Sequence, residues 1–336
     1  MKFIIDTDAG VDDAQAIISA LVLNHSHSLI GITTVNGNCS VTNSTRNVLR
    51  VLSFCNRPEV PVFMGAHEPT ILLSEMHHAS YVHGKDGMGD VSWDDEFSSQ
   101  FIDENLPKPQ SESAAEFLVK SARQNAGELC IFAIGPLTNL LLAMKLDSNF
   151  AKNVKCLYIM GGSITGQGNV SKTAEFNAFS DPEAIHECVR NFPSVEIYTW
   201  ELTLQHTVSW DYYKLLTSQN SKLSQFFSLI SQKTVQFLND AHSEVGWILP
   251  DGLCILGALF PELVEESYST RVDVVLHGED RGRTVAVESR IDNDISLMYR
   301  DDTAGASFTL DKNVRVVTKL DQQLLEKLLL DSLKVF

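Results

Sequence analysis

The sequence predicts an α/β fold with an open, mostly parallel sheet, helices on both of its faces and a Rossmann-like core. Short, nearly continuous apolar runs alternate with helical segments from the N-terminus to Trp200. Strands that are buried on both faces have such runs, and strand-helix alternation is typical of parallel sheets. In addition, four aspartates directly follow the first apolar run, where a ligand site of such a sheet is expected.

The elements follow in order along the chain. The predicted strands are residues 3–5, 29–35, 60–63, 129–134, 155–160 and 195–200. The predicted helices between and after them are residues 14–23, 41–52, 113–124, 139–144 and 182–189. Each strand is short and apolar, and each helix has the longer periodic pattern of an amphipathic helix.

Two stretches interrupt this alternation. Residues 65–112 are polar and rich in His, Ser and Asp, and a loop of that length is usually functional or mobile. Residues 205–249 are predicted to be helical over 214–238.

The C-terminal part is predicted to contain strands and a final helix. Residues 270–317 have the pattern of strands around Gly282 and Arg283 with a turn near Asp301 and Asp302, and residues 320–333 have the pattern of an amphipathic helix. With no linker or repeat, residues 1–336 are predicted to form one domain.

Composition and charge argue against several classes of protein. The chain has 336 residues, 44% apolar and 21% charged, as in globular proteins. Its net charge of −17 opposes binding to nucleic acid, which requires a basic face. The six cysteines form no Cys-x-x-Cys pair, so reduced thiols of a cytoplasmic protein are expected. The acidic residues close to Met1 argue against a signal peptide, and no apolar run is long enough for a membrane span.

The aspartate cluster is the strongest functional signal. Asp6, Asp8, Asp12 and Asp13 lie within eight residues, after a buried strand and at the start of a helix. Like charges this close cannot all stay ionised in a pocket unless a cation compensates them. Ligation by oxygen alone suits Ca²⁺ or Mg²⁺, and the helix dipole favours anions in its first turn.

Other interpretations of the cluster are weaker. A helix cap explains one or two aspartates but not four. An EF-hand loop counted from Asp6 would need a glutamate at its twelfth position, where Ile17 stands, and a helix before it. A phosphatase that forms an aspartyl-phosphate also uses Asp-x-Asp after a first strand, but it usually continues with Gly-Thr rather than with Ala9-Gly10-Val11.

The segment from Asp6 to Ala14 resembles the Asp-x-Asp-x-Gly-x-Asp-Asp-Ala signature of the inosine–uridine-preferring nucleoside hydrolase family, with Ala9 where the family normally has Pro. Five further segments resemble motifs of that family in the same order, and the resemblance covers roughly residues 1–260. They are Asn36-Gly37-Asn38, the loop of residues 84–89, the turn of residues 134–139, Gly168-Asn169 with residues 174–177, and residues 181–184.

The resemblance implies a nucleoside hydrolase-like fold and hydrolysis of the N-glycosidic bond of ribonucleosides to free base and ribose. It implies Ca²⁺ as cofactor and a calcium-bound water activated by Asp8. The implied metal ligands are Asp8, Asp13, the backbone carbonyl of Ile134, and Asp251. The implied substrate-binding residues are Asp12, which would bind the ribose 2′-hydroxyl, and Asn38, His83, Met160, Asn169, Glu175 and Asn177. Carboxylates near the sugar would stabilise an oxocarbenium-like transition state.

Several of these residues also have simpler interpretations. Asn38 and Asn169 are compatible with turns, and Met160 with the core. Glu175 and Asn177 flank Phe176 as alternate residues of an exposed strand would. Asp251 precedes an apolar helix, where an N-cap is common.

The sequence departs from the family at the leaving-group site. Pro250 stands where many members have the histidine that protonates the departing base. The candidates that remain for this site are Tyr81, His242 and Trp247. We therefore expect a base preference different from that of the histidine-containing members. The alternatives are a catalytically weak ribonucleoside-binding protein and a hydrolase of another N-riboside, such as nicotinamide riboside.

The expected partner is the ribonucleoside substrate, with neither nucleic acid nor membrane. The resemblance implies a homodimer or homotetramer. The apolar helix over residues 320–333 has two interpretations, as part of such an interface or as part of the chain's own core.

Overall fold

The computed structural model describes residues 1–23, 26–72, 76–93, 97, 99–101, 103–242, 244–287 and 314–334. The strands in these ranges are β1 (Lys2–Thr7), β2 (Ser28–Thr34), β3 (Val62–Met64), β4 (Leu129–Ala133), β5 (Val154–Met160), β6 (Val195–Tyr198), β7 (Val264–Val274), β8 (Thr284–Val287) and β9 (Val314–Leu320). They form a sheet in the order β3-β2-β1-β4-β5-β6-β9-β7-β8.

The helices begin with α1 (Val11–Leu23), α2 (Val41–Phe54), α3 (Ser80–His83), α4 (Ala114–Gln124), α5 (Thr138–Leu146), α6 (Phe150–Asn153) and α7 (Phe176–Ser180). They continue with α8 (Pro182–Asn191), α9 (Trp200–Gln205), α10 (Trp210–Thr217), α11 (Lys222–His242), α12 (Pro250–Leu259) and α13 (Gln322–Leu333). No helix among the described residues is long and apolar enough to cross a bilayer.

The sheet is mostly parallel, which confirms the predicted fold class. Strands β1 to β6 run parallel to their neighbours and β9 runs parallel to β6, whereas β7 is antiparallel to both β9 and β8. In the central register Asp6 of β1 is paired with Thr33 of β2 and with Ala133 of β4. The residues that follow these three strands therefore lie side by side at one edge of the sheet.

Two apolar clusters cover the two faces of the sheet. One contains Phe3 and Phe132, with residues of α1, α12 and α13, and the other contains Ile4 and Ile131, with residues of α4, α5 and α8. The alternation of Phe3 and Ile4 between the clusters shows why this strand is apolar at successive positions. Helix α13 buries Leu325, Leu329 and Leu333 in the first cluster, so it packs on the chain's own core.

Some element boundaries differ from the prediction. Residues 214–238 were expected to be one helix, but α10 and α11 divide this segment at a polar run that includes Ser221. The Ser221 hydroxyl accepts a hydrogen bond from the Ser224 N–H at 3.1 Å, which caps the start of α11. Strand β7 begins at Val264 rather than at residue 270. The turn expected near Asp301 and Asp302 lies outside the described residues.

Candidate active site

A cavity of about 780 Å³ opens at the carboxyl edge of the parallel strands. Its size is in the range of pockets that enclose a small organic ligand. The predicted site residues that line it are Asp12, Asn38, Tyr81, His83, Ile134, Met160, Asn169, Glu175, Asn177, Trp247 and Asp251. Asp8 and Asp13 are fully buried next to it. Residues from distant parts of the sequence therefore meet at one place.

Asp8 and Asp13 are held by the turn that joins β2 to α2. The Asn38 backbone N–H donates to Asp8 Oδ2 at 2.7 Å, and the Asn38 side-chain amide donates to Asp13 Oδ2 at 3.1 Å. Asp13 Oδ2 also accepts the Gly10 N–H at 2.8 Å, and Asp13 Oδ1 accepts the Thr7 hydroxyl. Asn38 therefore orients two carboxylates, a more specific role than support of a turn.

The carboxylates of Asp8, Asp12, Asp13 and Asp251 interact electrostatically. Burial raises the pKa of each of them, and that of Asp12 rises to about 6. The next cause for Asp8 is the charge of Asp13, and that for Asp13 is the charge of Asp12. The pKa of Asp251 is raised further by the charges of all the other three. The cluster therefore resists full ionisation when no cation is present.

The donor set fits a hard divalent cation. One carboxylate oxygen from each of Asp12, Asp13 and Asp251 lies within 4.8 Å of the others. Asp8 is not part of this group, but its Oδ1 is buried without a hydrogen-bond partner among the described residues. Neither Lys nor Arg is among the described residues that line the cavity. Oxygen ligands without a protein cation are the environment that Ca²⁺ or Mg²⁺ prefers.

Asp251 lies in the first turn of α12, after the N-cap position of Leu249. The alternative that Asp251 caps this helix is therefore wrong, since its carboxylate faces the other aspartates instead. Pro250 occupies the first helical position, where the missing N–H of proline has no cost, and it also lines the cavity.

The Asn177 side chain connects the ends of two neighbouring strands. Its Nδ2 donates to the backbone oxygens of Ile134 at 3.2 Å and of Met160 at 3.1 Å. Both carbonyls are thus fixed at the edge of the cavity, and the Ile134 carbonyl is the oxygen that the family resemblance implies as a metal ligand. Met160 is 3% exposed, so it belongs to the core as well as to the cavity wall.

Glu175 caps α7 and holds the loop that follows β5. Its carboxylate accepts the N–H groups of Asn177 at 2.9 Å, Ala178 at 3.1 Å and Gly162 at 2.8 Å. Burial raises the pKa of Glu175 to about 7 against these hydrogen bonds. Glu175 is the N-cap of α7, Asn177 lies within that helix, and both are buried, so the alternative of an exposed strand is wrong. Asn169 lies in the same loop, and its N–H donates to the Ala174 carbonyl at 3.2 Å.

His83, at the end of α3, is a buried neutral imidazole. Its Nδ1 accepts the Val11 N–H at 3.2 Å, which places the ring proton on Nε2. Burial lowers the pKa of His83 to about 4. The distance of 3.7 Å from Nδ1 to Asp12 Oδ1 is therefore a contact between a neutral ring and a carboxylate rather than an ion pair.

The leaving-group candidates lie in different environments. Tyr81 is 52% exposed at the cavity edge, with its ring against Phe237 at 5.4 Å between centroids. Trp247 is fully buried in the wall, and its indole N–H donates to Gln15 Oε1 at 3.2 Å. His242 is the last residue of α11, and its side chain lies outside the described part of the structure.

Several polar residues that support the site have no role predicted from the sequence. Asn139 Nδ2 donates to Asp6 Oδ1 at 2.8 Å, and the Thr33 hydroxyl donates to the same oxygen. The Thr138 hydroxyl donates to Asp181 Oδ2 at 2.7 Å. Thr138, Asn139 and Asp181 all belong to motifs that carried the family resemblance, so that signal was present but no role followed from it.

Known proteins are similar over most of the chain. Residues 3–327 match the family described as inosine-uridine preferring nucleoside hydrolase, which extends the likeness beyond residue 260. The chain is 37% identical over 269 residues to the probable uridine nucleosidase 2 of Arabidopsis thaliana, covering 78% of each protein. It is 32% identical over 305 residues to the non-specific ribonucleoside hydrolase RihC of Salmonella paratyphi A, covering 88% of this chain and 94% of that one.

Solved structures agree with this likeness. The plant nucleoside hydrolase PpNRh1 superposes with a TM-score of 0.85 at 28% identity, covering 100% of this chain and 99% of that one. An inosine-guanosine nucleoside hydrolase superposes with a TM-score of 0.81 at 29% identity over 100% and 99% of the two chains.

Proposed function

This chain belongs to the inosine-uridine preferring nucleoside hydrolase family and is a ribonucleoside hydrolase that cleaves N-glycosyl bonds, and we propose that it does so with Ca²⁺ and with Asp8 as general base. The alternative of a binding protein with weak turnover is set aside, because the relatives are named as nucleosidases and hydrolases.

The convergence of buried carboxylates at a nucleoside-sized cavity is the observation that carries the proposal. Asp12, Asp13 and Asp251 bring oxygens within 4.8 Å of one another. Asp13 and Asp251, with Asp8 and the Ile134 carbonyl, would hold the ion. When bound, Ca²⁺ lowers the pKa of a coordinated water and orders the ribose hydroxyls.

Asp8 is suited to accept the proton of the attacking water. Asn38 fixes its Oδ2, whereas its Oδ1 is buried without a partner among the described residues. The water oxygen forms the new bond to C1′ of the ribose as the bond from C1′ to the base nitrogen breaks. The water proton goes to Asp8, and the electron pair of the broken bond leaves with the base. A general base at this position contributes typically 10²–10⁴-fold to the rate.

The ribose is held by the polar half of the cavity. We assign the 2′-hydroxyl to Asp12 and the remaining ribose contacts to the other lining residues predicted from the sequence, which are Asn38, His83, Met160, Asn169, Glu175 and Asn177. Anionic carboxylates next to C1′ stabilise the positive charge of the oxocarbenium-like transition state more than the neutral substrate, which raises kcat.

The apolar half of the cavity is the part lined by side chains such as Trp200, Phe237 and Trp247. We propose that the base leaves toward it. Pro250 has no proton to give, and the indole proton of Trp247 is shared with Gln15. Tyr81, partly exposed at the cavity edge, is the remaining described candidate that can place a hydroxyl near the base. We therefore assign protonation of the base to Tyr81 or to water beside it, and Trp247 to the wall.

Base preference follows from this half of the site. We propose that it differs from that of family members with a histidine at the position of Pro250. Parallel assays of uridine, cytidine, inosine, guanosine, adenosine and nicotinamide riboside test this. A profile equal to that of the histidine-containing enzymes would refute the proposed difference in preference, and a preference for nicotinamide riboside would identify the alternative N-riboside as substrate.

The location and the assembly are also proposals. All six cysteines are unpaired and buried, which supports a reducing, cytoplasmic location. We propose a homodimer or homotetramer, and the exposed Ile71, Leu72 and Met76 beside one shallow groove support it. Light scattering of the purified enzyme measures the assembly directly.

The general-base assignment is tested with Asp8→Asn, which keeps the shape of the side chain. We expect kcat for the preferred nucleoside to fall by about 10³-fold while calcium still raises the thermal midpoint. Asp211→Asn, an exposed position on α10, is the control and should retain full activity. An Asp8→Asn enzyme that keeps its rate would refute this role of Asp8.

A further inference from the structure

The antiparallel end of the sheet contacts the substrate-binding half of the site through one turn. Strands β7 and β8 are joined by the turn of residues 275–283. The Val275 N–H donates to the Arg283 carbonyl at 2.9 Å, and the Gly282 N–H donates to the Val275 carbonyl at 2.8 Å. In the sheet order these strands lie at the end opposite to β3, with β9, β6, β5 and β4 between them and β1. This turn and the start of β8 contact the loop after β5. Glu201 of α9 also contacts this loop, through Ser163 and Thr165.

The start of β8 and the turn contact the two ends of that loop, residues 161–174. At its start, the Ser163 N–H donates to Thr284 Oγ1 at 2.7 Å. At its end, the Thr173 hydroxyl donates to Asp280 Oδ1 at 2.9 Å. Asn169, which lines the cavity, lies between these two attachments. The loop is therefore fixed from outside the parallel core on both sides of Asn169.

The first attachment is buried and sterically tight. Ser163 is fully buried and Thr284 is 1% exposed, so the hydrogen bond between them is shielded from water. Gly162 has a φ of +75°, and a Cβ there would lie 2.8 Å from Thr284 Oγ1. The N–H of the same Gly162 donates to Glu175 at 2.8 Å. Thr284 thus contacts the short segment that connects β5 to the Glu175 carboxylate.

The turn also holds the next two helices. The Arg281 guanidinium forms two hydrogen bonds with the Glu183 carboxylate in α8, at 2.6 and 2.7 Å. Gly282, with a φ of +89°, packs so closely that a Cβ there would lie 2.8 Å from the Cα of Phe179 in α7. Helix α7 carries Asn177, so the turn supports every segment that supplies the proposed ribose contacts after β5.

We propose that Thr284 is a positioning residue of this hydrolase, whose hydroxyl sets the loop of residues 161–174 for ribose binding. This inference rests on the proposed ribose contacts of Asn169 and Glu175. A small displacement of a substrate-positioning group can cost a large factor in kcat/KM, although the group that causes it never touches the substrate. Thr284 acts in this way through the Ser163 N–H.

Thr284→Val removes the acceptor and keeps the shape of the side chain. We expect KM for the preferred ribonucleoside to rise at least tenfold and kcat to change less than threefold, because binding of the ribose is weakened rather than the chemistry. Thr284→Ser restores the hydroxyl and should return KM to within about twofold. Thr270→Val, a matched change on β7 away from the loop, should behave as the wild type.

Hydrogen exchange supplies a second measurement. Without the Thr284 acceptor, the amides of residues 161–174 should exchange faster, whereas the same change at Thr270 should leave them protected. If Thr284→Val does not fold, Thr173→Val releases the other attachment and should show the same rise in KM. An unchanged KM, or unchanged exchange of the loop, in Thr284→Val overturns the inference. Failure of the wild type to hydrolyse any ribonucleoside would instead overturn the proposed function.

Discussion

The side-chain amide of Asn139 lies 2.8 Å from the Asp6 carboxylate, and both residues are fully buried. Asn139 Nδ2 also donates to the Thr34 carbonyl at 2.9 Å, and Asn139 Oδ1 accepts the Ala66 N–H at 2.9 Å. One side chain thus joins β1, β2 and the segment after β3. This gives Asp6 a structural role, as an anchor beneath the site rather than a member of the metal cluster.

Replacement of Asn139 by alanine should destabilise the fold more than it slows catalysis. It leaves the Asp6 carboxylate, the Thr34 carbonyl and the Ala66 N–H without this partner, and each unsatisfied buried group costs about 1–3 kcal/mol. We expect the free energy of unfolding in urea to fall by roughly 3 kcal/mol. Asn191→Ala, an exposed amide on α8, is the control. A variant as stable as the wild type would contradict the anchor role.

The sequence was sufficient to predict the parallel core and the gathering of the candidate site residues after its strands, because buried strands and a dense aspartate cluster are local patterns. It did not predict the partners of these aspartates. Asn139 contacts Asp6 across 133 residues, and Trp247 contacts Gln15 across 232, so no spacing signals either pair. The capping role of Glu175 was missed for another reason, since alternation around Phe176 is equally compatible with a strand and with a helix start.

Gly37 should be required for the geometry of Asp8. A Cβ at Gly37 would lie 2.1 Å from Asp8 Oδ2, closer than any non-bonded contact permits. Gly37→Ala must therefore move the carboxylate away from the Asn38 N–H that fixes it. We expect kcat/KM to fall by about 10²-fold or more, in line with the cost of misplacing a catalytic group.

The control for Gly37→Ala is Gly127→Ala, which strains the backbone but has open space around it, whereas the φ of Gly37 is not in the left-handed region. Gly127 has a φ of +75°, so alanine there should cost about 1 kcal/mol of stability and leave the activity of the folded enzyme unchanged. Equal activity losses in the two variants would show that the effect does not depend on the position of Asp8.

Removal of the cation should destabilise the folded enzyme as well as inactivate it. Without a cation, the charges of Asp8, Asp12 and Asp13 oppose ionisation of Asp251. A cation that binds these carboxylates in the folded state only therefore stabilises the folded enzyme. At a calcium concentration of about 100 times Kd the gain is about 2.7 kcal/mol. Differential scanning fluorimetry after EGTA treatment should show a lower thermal midpoint, with calcium restoring it. The thermal midpoint of Asp251→Asn should rise less when calcium is added. A wild-type thermal midpoint that does not change with calcium would exclude the metal site.

Glu175 should make stability fall as the pH rises through neutrality. Burial raises its pKa from 4.5 to about 7, with a further contribution from the charge of Glu201. The folded state therefore holds the proton more tightly than the unfolded state. The favourable contribution of the Glu175 carboxyl to the free energy of unfolding is complete below pH 4.5 and is lost as the pH rises through about 7.

The variant Glu175→Gln isolates this effect, because it has no carboxyl group at that position to titrate. We expect the stability of the wild type to decline relative to the variant between pH 5 and pH 8, by roughly 3 kcal/mol in total. Urea unfolding of both proteins at intervals of about one pH unit measures the difference, and all other titrating groups are common to the pair. Parallel curves over this range would mean that Glu175 titrates in the folded protein as it does in the unfolded chain.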